Sequence, residues 1–163
     1  MEQLRLFGEP DAPRQEPEPP ARYSCSIRAV LPQVREAQGP QLKCSLDVAN
    51  VCGDLRNLGQ ESFHVISLNQ KNRVIDAHLC SLGTLTGAPV HPREVFRPVL
   101  LDGAAAAAFV HNHPSGSPEP SRDDREITAR LVECGKLLGI RILDSVVVGR
   151  DRHFSFVEEG LMP

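Results

Sequence analysis

The chain has 163 residues, 40 % of them apolar, and a formal net charge of -3. That length suits one domain plus a tail and can bury a core without disulfide staples. The slightly acidic balance excludes the strongly basic face of a dedicated nucleic-acid binder, leaving nucleic acid an open rather than an indicated partner.

From the N-terminus, residues 1–22 are rich in Pro, Glu and Arg and poor in apolar side chains, the composition of a disordered tail. Within it, Leu4-Arg5-Leu6-Phe7 is a short apolar patch, readable as a docking element or as part of a tail with no partner. No basic-then-apolar leader begins the chain, so no signal peptide is expected. Residues 23–44 read as an extension of uncertain structure, with Cys25 to Leu31 partly alternating like an edge strand. The main domain is expected over 45–163. Ser45 caps a predicted helix in which Val48, Cys52, Leu55 and Leu58 recur at helical spacing, and Gly59 stops it. Phe63 to Leu68 and Arg73 to Leu79 read as two strands joined by the turn Asn69–Asn72, a hairpin. Gly83 and Gly87 punctuate a loop. Pro92 opens a predicted helix running to Leu101, with Pro98 expected to kink or shorten it. Ala104 to Val110 reads as a central strand.

Ser121 caps a further helix, with Asp123 and Asp124 in its first turn and Ile127, Leu131, Cys134 and Leu138 along one face; Gly139 ends it. Ile142 to Val148 and Phe154 to Val157 read as closing strands. Strands interleaved with helices predict an α/β layer sandwich around a mixed β-sheet flanked by helices. The longest apolar run, Ala104 to Val110, falls far short of the ~20 residues that span a bilayer, so a soluble, cytoplasmic chain with no membrane partner is expected. The 5 cysteines form no CxxC pair and read as reduced thiols filling core space.

The segment that carries chemistry is His111-Asn-His-Pro-Ser-Gly-Ser-Pro-Glu-Pro-Ser-Arg-Asp-Asp124. On extended backbone, side chains two apart point the same way, so His111 and His113 can converge on one ion. A loop braced by proline and glycine then leads to the helix start, which can fold Asp124 back to the same point. Two imidazoles and one carboxylate are the donor set of a catalytic zinc site, which keeps a fourth position open. Asp123 is the competing carboxylate, but a helix turns it elsewhere. His64, His78, His91 and His153 lack comparable context and read as non-ligands.

H-x-H followed by seven residues, Ser, two residues and Asp resembles the JAB/MPN (JAMM) metallopeptidase motif. The wider text resembles the RadC branch: HPREVF at 91–96, the alanine run into HNHPSG at 111–116, PS at 120–121 and ILDSVVVG at 142–149. The resemblance covers roughly residues 45–160. It implies a cytidine-deaminase-like three-layer sandwich, a bound Zn2+, and peptidase or isopeptidase chemistry on a peptide or protein substrate. In that chemistry a zinc-bound water attacks a carbonyl, and a glutamate at the start of an early strand shuttles its proton. Glu61 matches that place; Glu94 is the rival. Ser121 would add an oxyanion donor to its capping role. Arg93, Asn112 and Asp144 are candidate supporting groups.

Two departures stand out. The resemblance is to the C-terminal half of RadC proteins, without their helical N-terminal region and its helix-hairpin-helix element. Asp144-Ser145 stands where the family reads Asp-His. Other functions to weigh are a non-enzymatic JAB/MPN scaffold and an accessory factor in DNA repair, which predicts salt-sensitive DNA binding. A zinc deaminase would need H-x-E and P-C-x-x-C, and neither occurs.

Overall fold

The computed structural model describes residues 37–83 and 90–163. The expected tail over 1–22, the edge strand near Cys25 to Leu31 and the loop at Gly87 lie outside the described residues. In chain order the elements are α1 (Ser45–Val51), a 3-10 turn (Gly53–Asn57), β1 (Ser62–Leu68), β2 (Val74–Leu82), α2 (Pro92–Leu101), β3 (Ala106–Asn112), α3 (Arg122–Leu138), β4 (Arg141–Val148) and β5 (His153–Ser155). The strands form one mixed sheet in the order β2-β1-β3-β4-β5. β3 and β4 run parallel, joined through α3, and the other pairs are antiparallel.

Each face of the sheet has its own core. On one, Val48, Ala49 and Leu55 from α1 and the 3-10 turn cover Ile66, Leu68, Ala108, Val110, Val146 and Val148. On the other, Val95, Phe96 and Val99 of α2 and Leu131 of α3 cover Phe63, Val65, Ala107 and Phe109. These are the three layers expected. Among the described residues no helix is long and apolar enough to cross a membrane. Cys44, Cys52, Cys80 and Cys134 are free. Burial pushes the thiols of Cys52 and Cys80 up to about 11, so they are poor nucleophiles that pack rather than react.

Several boundaries differ from those expected. The helix beginning at Ser45 ends at Val51, and the chain tightens into a 3-10 turn from Gly53. A glycine costs a helix about 1 kcal/mol relative to alanine, and the tighter winding still buries Leu55. Ser45 is not the cap: Asp47 Oδ2 accepts the backbone N–H of Lys43 (2.7 Å) and of Cys44 (3.2 Å). The Ser45 hydroxyl instead bonds Glu158 and His153 Nε2. Pro98 does not shorten α2, because Val95, Phe96 and Val99 are anchored in the core on either side of it. The second strand extends to Leu82, whereas β5 closes at Ser155, where the chain turns and buries Phe156. Leu138 is exposed at the end of α3, beside Gly139 in the left-handed region at φ +70°.

The difference that bears on function is in β3. It begins at Ala106 and runs to Asn112, because the ladder to β4 continues through His111↔Val147 and Asn112↔Val148. His111 therefore sits inside the central strand rather than in the loop after it. Phe109 is the largest fully buried side chain on that strand and packs against Phe63 and Phe96 at ring separations of 5.9 and 6.3 Å. Phe109→Ala is expected to cost about 3–5 kcal/mol, read as a fall in the urea midpoint with an unchanged slope. A loss below about 1 kcal/mol would mean that this layer is not the core.

Candidate metal centre

Strand alternation turns His111 toward the face covered by α2 and α3, where its ring stacks on Phe63 at 5.8 Å. The strand ends at Asn112. The chain then makes a tight turn in which the Gly116 N–H donates to the His113 carbonyl (2.9 Å) and Gly116 takes φ +83°. This turn is pinned to the end of β4, since the His113 N–H donates to Val148 O (3.2 Å) and the Arg150 N–H to Gly116 O (3.1 Å). A Cβ at Gly149 would stand 2.6 Å from Gly116 O, so only glycine allows this close approach.

The His113 imidazole has a fixed tautomer. Its Nδ1 lies 2.9 Å from the Ser117 carbonyl, which can only accept, so Nδ1 carries the proton and Nε2 faces the centre. Asp124 arrives from the first turn of α3 in a closed capping box. The Ser121 backbone N–H and hydroxyl donate to Asp124 Oδ2 (2.7 and 2.6 Å), and Ser121 Oγ accepts the Asp124 N–H (3.1 Å). Ser121 thus caps the helix as expected, and the cap also aims the carboxylate. Asp124 Oδ1 lies 3.2 Å from His111 Nε2, and Oδ2 lies 3.4 Å from His113 Nε2.

The three residues fit a metal ion. One donor atom from each of His111, His113 and Asp124 can be chosen so that all lie within 4.8 Å of one another, the one such group of metal-capable side chains among the described residues. Tetrahedral donors at zinc bond lengths stand roughly 3.3 Å apart, and each imidazole has one Asp124 oxygen near that spacing, Oδ1 at 3.2 Å from His111 and Oδ2 at 3.4 Å from His113. His111 is 1 % exposed, and neither of its ring nitrogens makes a hydrogen bond among the described residues. The contact with Asp124 has ion-pair distance without hydrogen-bond direction. A buried nitrogen left without a partner costs on the order of 1–3 kcal/mol, which coordination would recover.

The electrostatics are those of a site held together by protons when no metal is bound. The Asp124 carboxylate beside its Nε2 raises the His113 pKa above its ordinary 6.5, against the opposing effect of burial. Burial pushes the Asp124 carboxyl up, but the imidazoles of His111 and His113 and the Ser121 hydroxyl outweigh it and hold the group well below the carboxylate range. The contribution of His113 to stability is complete below about pH 6.5 and is lost as pH rises through its raised folded value. That of Asp124 is complete above about pH 4 and is lost as pH falls through its depressed value. These two groups therefore support the metal-free protein best between about pH 4 and 6.5, and stabilisation by Zn2+ should grow as pH rises and the competing proton leaves. Melting temperatures across pH 4–9, with Zn2+ or with chelator, check this. A zinc effect independent of pH would contradict it.

Glu61 lies half-buried just before β1. The register pairs Phe63 with His111, and Glu61 lies two residues before Phe63 as His113 lies two after His111; the Glu61 charge helps raise the His113 imidazole pKa. Glu94 instead faces the guanidinium groups of Arg93 (3.4 Å) and Arg97 (3.3 Å) on α2. Asp123 is exposed and is not part of the group. His78 pairs with Asp102 (2.7 Å), His153 bonds Ser45, His64 is half-buried on β1 and His91 is exposed; none joins the site. Asp144 is buried and accepts from Ser155 Oγ, the Ser145 N–H and the Val157 N–H, tying β4 to the turn after β5. Ser145 has its hydroxyl 3.2 Å from that of Thr128, one turn beyond Asp124 on α3. Sequence reasoning missed the Ser117 carbonyl, which fixes the His113 tautomer. A backbone group leaves no side-chain signal to find.

A mixed five-stranded sheet with helices on both faces, bearing a His-x-His pair at the end of its central strand, defines a JAB-type α/β domain. Residues 42–161 match the model of the RadC-like JAB domain, and the chain belongs to that family. It is 54 % identical over 108 residues to a UPF0758 protein of Symbiobacterium thermophilum, covering 66 % of this chain and 46 % of that protein. It is 44 % identical over 146 residues to a UPF0758 protein of Rubrobacter xylanophilus (85 % and 64 %), and 50 % identical over 109 residues to one of Trichlorobacter lovleyi (67 % and 47 %). The chain thus spans about half to two thirds of the length of these curated relatives.

Proposed function

We propose that this chain is a zinc-dependent hydrolase acting on peptide or isopeptide bonds of a peptide or protein substrate. The observation that carries the reading is the convergence of His111, His113 and Asp124, with the buried His111 ring nitrogens making no hydrogen bond among the described residues. These three side chains would hold the ion. When bound, it supplies Lewis acidity, polarising the substrate carbonyl and acidifying a water. Zinc suits two nitrogens and one oxygen.

Amide cleavage also needs a group that takes a proton from the attacking water and returns it to the leaving amine. Glu61 has that role in this reading, because its charge acts on His113 while Glu94 is engaged with arginines. The Ser121 hydroxyl, which here donates to Asp124, would turn to donate to the oxyanion that forms at the carbonyl. Phe63, stacked on His111, walls one side of the centre with apolar surface, where such electrostatic contacts strengthen.

The test is metal analysis of the purified protein beside His113→Ala, followed by incubation of the zinc-loaded protein with a peptide library read by mass spectrometry. About one zinc per chain, lost in the variant, with chelator-sensitive cleavage supports the reading. Stoichiometric zinc without cleavage of any peptide or isopeptide substrate would favour a scaffold, and absence of bound metal would reject the hydrolase altogether.

A further inference from the structure

Asn112 stands between the two metal-holding histidines in the chain, yet strand alternation sends its side chain out of the opposite face of β3. It is buried, and its amide is saturated. Oδ1 accepts the backbone N–H and the hydroxyl of Ser62, both at 2.9 Å. Nδ2 donates to the carbonyls of Gln60 (3.1 Å) and Leu58 (3.4 Å). A backbone N–H can only donate and a carbonyl can only accept, so this set admits one orientation of the amide.

Gln60 and Ser62 are the chain neighbours of Glu61. A side chain that grips the residue on either side of a third fixes both peptide planes around it, and with them the direction of its Cα–Cβ bond. The grip comes from the same strand that carries His111. A second hold comes from the end of β2, where the Gly83 N–H donates to the Glu61 carbonyl (2.7 Å) and Gln60 Nε2 donates to the Gly83 carbonyl (2.6 Å). The Asn112 amide reaches both sides of Glu61, whereas Gly83 meets one side through the backbone and the other through a flexible glutamine.

We propose that Asn112 is a positioning residue that holds Glu61 against the metal-holding side chains, so that β3 places both the ion and the base. The proposal rests on the hydrolase reading. Its consequence is that Asn112 acts entirely through Glu61, and removing either should have the same effect at the metal centre.

The test is a double-mutant cycle read first with Zn2+ alone and then with a peptide selected from the library. Glu61→Gln takes a negative charge from beside the centre and should weaken Zn2+ binding by about 3–10-fold. Asn112→Ala should weaken it similarly, and the double variant no further. With substrate, Asn112→Ala should lower kcat at least about tenfold with KM within about twofold, because a displaced base affects the step rather than the complex. Ser62→Ala removes one of the four bonds and should show the same pattern at smaller size, which keeps the test open if Asn112→Ala folds poorly. Independent, additive effects of Glu61→Gln and Asn112→Ala on zinc affinity would overturn the proposal, as would wild-type kcat in a folded Asn112→Ala. If the wild type binds no zinc, the hydrolase reading falls and this proposal with it. If it binds zinc and Glu61→Gln responds while Asn112→Ala and Ser62→Ala do not, the positioning role alone is wrong.

Discussion

Asp124→Ala is expected to weaken Zn2+ binding beyond the roughly 10–100-fold that loss of an outer-shell partner costs, and to abolish the zinc-dependent rise in melting temperature. Asp124 supplies the carboxylate that both imidazoles face, Oδ1 at 3.2 Å from His111 and Oδ2 at 3.4 Å from His113. Without it two nitrogens remain, too few for a stable site. For the wild type, Zn2+ at 100 times its Kd should add about 2.7 kcal/mol of stability, and the variant should gain almost none. Asp124 also closes the capping box of α3, so part of any loss of stability will be helical, about 1 kcal/mol. Ser121→Ala separates the two effects: it removes the hydroxyl of the cap and keeps the carboxylate, so it should destabilise mildly and still respond to zinc. Competition with a chromophoric chelator measures the affinities. Near-wild-type affinity in Asp124→Ala would refute the assignment of the third ligand.

The second large effect is on turnover. Glu61→Gln should reduce cleavage of any library-selected peptide by about 10²–10⁴-fold, the usual worth of a positioned acid–base group, while the protein remains folded and zinc-loaded. The glutamine keeps the size of the side chain and loses only its capacity to take and return a proton. Glu94→Gln should stay within about twofold of wild type, since that carboxylate faces Arg93 and Arg97 across a largely exposed helix surface, where ion pairs contribute little. Cleavage that survives Glu61→Gln, or that disappears in Glu94→Gln, would reverse the assignment.

The fold was readable where hydrophobic spacing and capping chemistry act locally. Pro92 at the start of α2, Ser121 before α3 and Gly139 after it all sit where side-chain and backbone chemistry alone puts them. Boundaries set by distant partners were not readable. Gly53 interrupts the first helix because a 3-10 turn still buries Leu55, and β3 extends through His111 and Asn112 because β4 lies alongside to complete the ladder. Of the site, the His-x-His pair and Asp124 were legible because two short-range rules, alternation along a strand and the geometry of a helix cap, converge on one point. The neighbourhood of Glu61 was not legible, because it depends on the antiparallel register between β1 and β3, which local sequence does not state.

All seven residues of β3 are buried, and the strand has a neighbour on each side. Proteins open first at their edges, and the innermost strand is commonly the last to exchange its amide protons. β2, the outer strand with exposed Leu79 and Leu82, and the three-residue β5 at the other margin can therefore fray while the His111 end of the centre keeps its shape. His111 is rooted in the most persistent part of the domain, so mild heat or denaturant should disturb the borders of the sheet well before it reaches that end of the candidate centre.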